Sequence, residues 1–159
     1  VVPGNYDRKI PADYQTVHVL EALKPAAEIL EPHQITMVLE PLSDTPDLFL
    51  RHSAQAFAIC KAVNSPSCKI LFDIYHMQRN EGDLIDGIDR AWDEIRYLQI
   101  GDNPGRNEPG TGEINYKNIF KHLYGKGYRG MLGMEHGIAG AGKDGENALV
   151  KAYREADSF

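Results

Sequence analysis

Four polar residues that could bind a cation stand at or near the ends of apolar, strand-like runs. Glu40, Asp73 and Glu135 supply carboxylates and Gln99 supplies an amide carbonyl, and they are separated by 33, 26 and 36 residues, each about one βα unit. If the carboxyl ends of parallel strands converge, these oxygens meet in one cavity, where they would bind protons or a cation. All-oxygen ligation favours Mg²⁺ or Mn²⁺ over zinc.

Each of these residues, taken alone, is more often a helix cap or a loop anchor. Their recurrence at consecutive strand ends is what favours a shared site. His76 lies three residues after Asp73 and is interpreted as a hydrogen-bond donor to substrate, or else as an ordinary loop histidine. Arg106 lies on a Gly/Pro-rich loop and is suited to hold a carboxylate or hydroxyl of a ligand, although it could simply be solvated.

Glycines on the same loop as Arg106 do not follow the spacing of a phosphate-binding loop, and no lysine follows them. The better-supported role for Gly105, Gly110 and Gly112 is to allow tight turns, so that the loop can fold over a cavity mouth.

Hydrophobic periodicity predicts strands and helices in alternation. Helices are expected over residues 14–31, 46–63, 84–92, 116–125 and 145–156, and strands over 35–39, 69–73, 95–100 and 130–135. Pro25 could kink or divide the first helix. The chain opens on Val-Val-Pro-Gly, which resembles the end of a strand entering a turn, so a preceding segment is expected. The alternation predicts one α/β domain over residues 1–159 with parallel strands and right-handed crossovers.

Composition argues against several classes of partner. The chain has 17 basic and 23 acidic residues, a formal charge of −6, and no basic cluster that could follow a nucleic-acid backbone. It contains no apolar run of the roughly 20 residues that a bilayer crossing requires. Cys60 and Cys68 are expected to be reduced core thiols, which makes the cytoplasm the default compartment.

Longer motifs around these residues resemble the hydroxypyruvate isomerase family, which belongs to the xylose isomerase-like TIM barrels. The resemblance extends over most of the chain and is carried by Leu-Glu-Pro-Leu at 39–42, Phe-Asp-Ile-Tyr-His-Met-Gln at 72–78, Asp-Asn-Pro-Gly-Arg at 102–106 and Glu-Pro-Gly-Thr-Gly-Glu-Ile-Asn-Tyr at 108–116. The sequence departs from the family pattern at Ser43, where the family tends to carry Asn, and at His136, where it tends to carry Tyr. Both departures are expected near the cavity, where they bear on the substrate.

The resemblance implies a (β/α)₈ TIM barrel of which this chain covers about the C-terminal half, from the end of strand 4 through strand 8. It implies that Glu40, Asp73, Gln99 and Glu135 bind Mg²⁺ or Mn²⁺, that Glu40 and Glu135 also form the acid/base pair, and that His76 and Arg106 bind substrate. The implied activity is isomerisation of a small hydroxy-carbonyl compound, a sugar or keto acid, through an enediolate. The alternatives are a ketose 3-epimerase and a non-catalytic sugar-binding member. Unpaired strand edges in a half-barrel further predict a longer natural protein or a homo-oligomer.

Overall fold

The computed structural model describes all 159 residues, which form six helices and four strands. The elements, in chain order, are α1 (Ala12–Leu30), β1 (Met37–Leu39), α2 (Ser53–Val63), β2 (Cys68–Asp73), α3 (Ile74–Asn80), α4 (Leu84–Ala91), β3 (Ile95–Ile100), α5 (Tyr116–Gly125), β4 (Leu132–Met134) and α6 (Gly142–Ala156).

All the strand pairs are parallel, and the strands lie in the order β1-β2-β3-β4. The register places Asp73 opposite Gln99 and Gln99 opposite Gly133. The carboxyl ends of the strands therefore lie side by side, as the alternation of strands and helices predicts.

The core lies between the sheet and the helices that cover one of its faces. Ile70 and Phe72 of β2 and Leu98 and Ile100 of β3 are almost completely buried against these helices. Because successive side chains of a strand point to opposite faces, Asp73 and Gln99 project from the other face of the sheet. The helices thus anchor the sheet on one side and leave the other side for polar chemistry.

One predicted helix starts later than expected, and the structure contains one helix that was not expected. The helix predicted over 46–63 begins only at Ser53, because the preceding loop pairs with the N-terminal segment: Phe49 N donates to Gly4 O at 3.0 Å and Tyr6 N to Asp47 O at 2.6 Å. The seven-residue helix α3 was not predicted at all, and it directly follows β2.

Pro25 does not divide the first helix: α1 continues through it as one helix of 19 residues. Other sequence-based expectations agree with the structure. Cys60 and Cys68 are free and buried. Val1 makes the two hydrogen bonds of a parallel ladder with β1, donating to Val38 O and accepting from Glu40 N, which agrees with the predicted strand end. None of the helices has the length and apolar character needed to cross a membrane.

Candidate active site

Side chains from all four strand ends and from α3 meet on the open face of the sheet. Glu40, Asp73, His76 and Glu135 each contribute one ligand atom to a cluster in which these atoms lie within 4.8 Å of one another. One end of the Gln99 amide lies 3.2 Å from Glu40 Oε1 and 3.3 Å from Glu135 Oε2. The residues expected to converge are therefore neighbours, and His76 joins them.

Asp73 serves two purposes at the junction of β2 and α3. Its Oδ1 accepts a hydrogen bond from Tyr75 N at 2.9 Å and so caps the N-terminus of α3. Its Oδ2 remains directed at the cluster, where it lies 3.2 Å from Arg106 Nη2. The helix-cap role is therefore compatible with a role in the cluster, because each uses a different carboxylate oxygen.

The position of Gln99 tests whether the cluster fits a metal ion. With its nitrogen towards the glutamates, the amide donates to both; with its oxygen there, three oxygens face one another and need a proton or a cation between them. The spacings of 3.2 and 3.3 Å are close to the roughly 3 Å edge of an octahedron whose metal–oxygen bonds are about 2.1 Å. The donor set is therefore suited to an oxygen-preferring divalent cation.

His76 is held rigidly by contacts outside the cluster. Its ring is 1% exposed, and its Nδ1 lies 2.8 Å from Ser43 Oγ and accepts from Ser43 N at 3.2 Å. Burial, helped by the nearby Arg106 charge, lowers the pKa of His76 to about 4. The imidazole is therefore neutral at physiological pH, and its Nε2 is 3.5 Å from Asp73 Oδ2.

Arg106 supplies the positive charge within the cluster. Its Nη2 donates to Glu135 Oε2 at 2.6 Å and to Asp73 Oδ2 at 3.2 Å, and its Nε donates to the Glu135 main-chain oxygen at 3.2 Å. The guanidinium also stacks over the Tyr75 ring, 4.9 Å from the centroid. With 31% of its side chain exposed, Arg106 can still reach a ligand entering from the open face.

The single positive charge of Arg106 does not compensate for the three carboxyl groups of the site, and the pKa values of two of them are raised. Burial raises the pKa of Asp73 to about 7, with Glu135 and Glu40 adding to the rise and Arg106 opposing it. Burial, followed by repulsion from Glu135, also raises the pKa of Glu40. Such a cluster binds protons when no metal is present and has a strong electrostatic preference for a further cation.

The fold and this arrangement agree with a comparison to protein families. A family model described as xylose isomerase-like TIM barrel matches residues 1–156. This chain belongs to that family.

Among the chain's relatives within and around this family are two enzymes named as isomerases. Hydroxypyruvate isomerase of Escherichia coli K12 is 40% identical over 134 residues, which cover 80% of this chain and 52% of the relative. The 2-oxo-tetronate isomerase of Cupriavidus necator is 35% identical over 139 residues, which cover 86% of this chain and 52% of the relative. The chain thus spans about half the length of these relatives.

A solved structure, titled AP endonuclease, family 2, from Brucella melitensis, matches with a TM-score of 0.83 at 32% sequence identity. The match covers 91% of this chain and 57% of that one. It supports the TIM-barrel architecture.

Of the two departures from the family motifs, only Ser43 belongs to the site. It is 8% exposed and contacts His76 through both its hydroxyl and its main-chain N–H. His136 directly follows the cluster residue Glu135, but its side chain makes its contacts on the other side of the chain. Its Nε2 lies 2.7 Å from Tyr153 Oη on α6 and its ring stacks on that tyrosine, because the next residue after a strand-end glutamate points to the opposite face.

Tyr75 and Asp102 are site-supporting residues that the sequence analysis missed. Tyr75 stacks against Arg106, and Asp102 is a completely buried carboxylate in the loop that carries Arg106. Both residues lie within the motifs that resemble the family, Tyr75 in 72–78 and Asp102 in 102–106. Their position inside these motifs is the feature of the sequence that could have identified them.

Proposed function

We propose that this xylose isomerase-like chain forms part of a divalent-metal-dependent isomerase that acts on a small hydroxy-carbonyl compound of the hydroxypyruvate or tartronate semialdehyde type. The observation that carries the proposal is the placement of two glutamates, Glu40 and Glu135, on either side of the Gln99 amide in an oxygen-rich cluster. The similarity to enzymes named hydroxypyruvate isomerase and 2-oxo-tetronate isomerase supports the same choice of substrate class.

Glu40, Asp73, Gln99 and Glu135 are the residues that would hold Mg²⁺ or Mn²⁺ in this proposal. When bound, such a cation would polarise the substrate carbonyl and stabilise the negative charge of an enediolate.

The two glutamates would act as the base and the acid. One carboxylate removes the proton from the hydroxyl-bearing carbon next to the carbonyl, and the electron pair of that C–H bond enters the enediolate. The former carbonyl carbon then receives a proton from the other glutamate, while the hydroxyl proton passes to the former carbonyl oxygen. The raised pKa of Glu40 suits it to carry the proton that is returned.

Arg106 and His76 would orient the substrate. The Arg106 guanidinium is partly exposed on the open face and can form charge-assisted hydrogen bonds with the carboxylate of a keto acid. Ser43 N donates to His76 Nδ1, which leaves Nε2 to carry the ring proton and donate it to a substrate oxygen.

A ketose 3-epimerase is the second candidate, because the two glutamates reach the cluster after different strands, β1 and β4, with the Gln99 amide between them. An epimerase needs carboxylates on opposite sides of one carbon, whereas an isomerase moves a proton between neighbouring carbons. A non-catalytic sugar-binding role is disfavoured because both glutamates and the other donor residues are retained together.

We further propose that the chain provides the C-terminal half of an eight-stranded barrel, from the end of strand 4 through strand 8, and that the natural protein is longer or homo-oligomeric. The sheet of four parallel strands leaves the outer edge of β4 unpaired, and Met131 and Met134 there are 79% and 63% exposed. Size-exclusion chromatography of the 159-residue chain tests this: aggregation or self-association is expected, and a cooperatively folding monomer would contradict it.

Proton exchange in D₂O tests the function. The full-length protein with Mn²⁺ is incubated with hydroxypyruvate, tartronate semialdehyde and, separately, a panel of ketoses, and deuterium is located by NMR. Deuterium at the carbon next to the carbonyl with formation of the aldehyde supports the isomerase. Exchange at C3 of a ketose with formation of both epimers supports the second candidate, and no exchange with any substrate rejects both.

A further inference from the structure

The Asp102 carboxylate lies beside the cluster described above and is not one of its members. It is completely buried, two residues beyond the end of β3, at the start of the loop that carries Arg106. We propose that Asp102 is a positioning residue: by anchoring residues 103–114 it sets the place at which Arg106 meets the substrate. The kinetic test of this inference, by kcat/KM, rests on the proposed function. The structural test, by hydrogen exchange of residues 103–114, does not depend on it.

Four main-chain N–H groups of one loop donate to this carboxylate. Oδ2 accepts from Gly110 N at 2.8 Å and Gly112 N at 2.9 Å, while Oδ1 accepts from Asn103 N at 2.9 Å and Ile114 N at 3.0 Å. The loop is thus folded around one buried negative charge, and each bond is charge-assisted.

The main chain of Asp102 fixes Arg106 directly. Arg106 N donates to Asp102 O at 2.7 Å, and Asp102 N donates to Asn107 O at 2.8 Å. Arg106 itself has a φ of +52°, in the left-handed region that non-glycine residues seldom adopt. Such a conformation persists only where surrounding contacts enforce it, and here Asp102 provides two of them.

Arg106 is also tied to the neighbouring strand end. Its main-chain oxygen accepts from Gly137 N at 2.8 Å, and Glu108 Oε2 of the same loop accepts from Ala139 N at 3.0 Å. The loop therefore links the end of β3 to the segment after Glu135. If the Asp102 anchor is lost, Arg106 shifts relative to Glu135, and a displacement of about 1 Å in a reacting geometry can reduce the rate on the order of 100-fold.

An amide cannot replace this carboxylate, because all its partners are donors. In Asp102→Asn the side-chain NH₂ would face two N–H groups, so at least two of the four hydrogen bonds would be lost. Gly112→Ala disturbs the same anchor sterically, since an added Cβ would overlap Asn103 O and come within 2.7 Å of Asp102 Oδ1.

The experiment compares Asp102→Asn, Arg106→Gln and the double variant in the full-length protein with Mn²⁺. Hydrogen exchange of residues 103–114 is expected to quicken in Asp102→Asn. With hydroxypyruvate, kcat/KM is expected to fall by about 10- to 100-fold in each single variant. The double variant is expected to be no worse than Arg106→Gln alone, because Asp102 acts through Arg106.

Glu94→Gln is the matched control. Glu94 is 5% exposed and pairs with Lys61 and Lys69 near the start of β3, at the opposite end of the strand from the cluster. Glu94→Gln should lower thermal stability without changing KM. Gly112→Ala, which crowds the Asp102 carboxylate without changing its charge, should reproduce the kinetic defect of Asp102→Asn.

Unchanged exchange of residues 103–114 in Asp102→Asn would overturn the anchoring role. A kinetic defect that multiplies with that of Arg106→Gln would overturn the route through Arg106. If the wild-type protein turns over no substrate, the proposed function fails separately, and hydrogen exchange in Asp102→Asn and Gly112→Ala still decides whether Asp102 holds the loop.

Discussion

Arg106 binds both ends of Glu135: its Nη2 donates to the carboxylate at 2.6 Å, and its Nε donates to the main-chain oxygen at 3.2 Å. The same Nη2 also donates to Asp73 at 3.2 Å. A single guanidinium therefore contacts two carboxylates that a divalent cation would also use. Its one positive charge offsets only part of the negative charge of the cluster, and a bound metal would have to compete with this arginine for the same oxygens.

Replacing Arg106 by Gln should consequently tighten Mn²⁺ binding by about tenfold, which corresponds to about 1.4 kcal/mol. It should also lower the thermal stability of the metal-free protein, since a buried carboxylate loses its cation. Calorimetric Mn²⁺ titration and thermal unfolding in EDTA measure the two effects. Arg8→Gln, which removes an arginine that is 83% exposed, is the control and should change neither. Unaltered Mn²⁺ affinity in Arg106→Gln would contradict the competition.

Glu135→Gln is expected to reduce turnover by about 10²- to 10⁴-fold while Mn²⁺ binding persists in weakened form, because an amide oxygen can ligate but cannot transfer a proton. Glu40→Gln should behave in the same way. Turnover and Mn²⁺ titration are measured in parallel with Glu146→Gln, an exposed glutamate of α6. Full activity of Glu135→Gln would refute its catalytic role.

The raised pKa of Asp73 makes the stability of the metal-free protein depend on pH. In the folded state this carboxyl titrates at about 7, against 3.8 for the unperturbed group, so between these values the folded state binds more protons than the unfolded one. Stability is therefore greatest on the acid side of this window and falls as pH rises towards 7. Urea unfolding in EDTA at pH 5 and pH 8 should show this fall.

Asp73→Asn should flatten that pH dependence and also abolish tight Mn²⁺ binding. The exposed Asp86, paired only with Arg90 on α4, provides the control as Asp86→Asn. In the wild type, Mn²⁺ affinity should rise over the same pH range, because metal binding must displace the proton from Asp73. An equal slope in wild type and Asp73→Asn would show that another group is responsible.

Ser43→Ala removes the hydroxyl 2.8 Å from His76 Nδ1 but leaves the main-chain N–H in place. The loss of one buried hydrogen bond, about 1 kcal/mol, should reduce kcat/KM roughly fivefold without loss of Mn²⁺ binding. Ser65→Ala is a suitable comparison, because Ser65 is similarly buried but lies before the start of β2, at the opposite end of that strand from Asp73, and bonds to Glu31. A substrate effect of Ser65→Ala equal to that of Ser43→Ala would point to general destabilisation.

Much of the sheet could be predicted because the relevant signals are local. The apolar run of β2 ends at Asp73, and the residue one βα unit later, Gln99, pairs with it in the parallel register. Parallel strands place equivalent ends at one edge, so spacing alone was enough to expect that the carboxylates would meet.

The errors arose where distant or competing contacts decide the structure. α2 begins at Ser53 because residues before it bond to the N-terminal segment, and because Ser53 N and Oγ donate to the Glu81 carboxylate, 28 positions away. α3 was missed because seven residues are too few to show a clear helical period, although its cap, Asp73, was already identified as a polar residue of interest.

The sequence by itself determined the alternation of the four strands with the longer helices, the convergence of the residues that end those strands and the loop that carries Arg106, because these depend on patterns within one βα unit. Only the tertiary structure decided that Arg106 is the internal counter-ion of Glu135 and Asp73, that Ser43 holds His76, and that Asp102 anchors the loop. Each of these interactions joins groups that are distant in the sequence and are brought together by the fold. Their energies depend on the distances between the groups and on how deeply they are buried, because distance sets the Coulomb energy and burial sets the cost of desolvation.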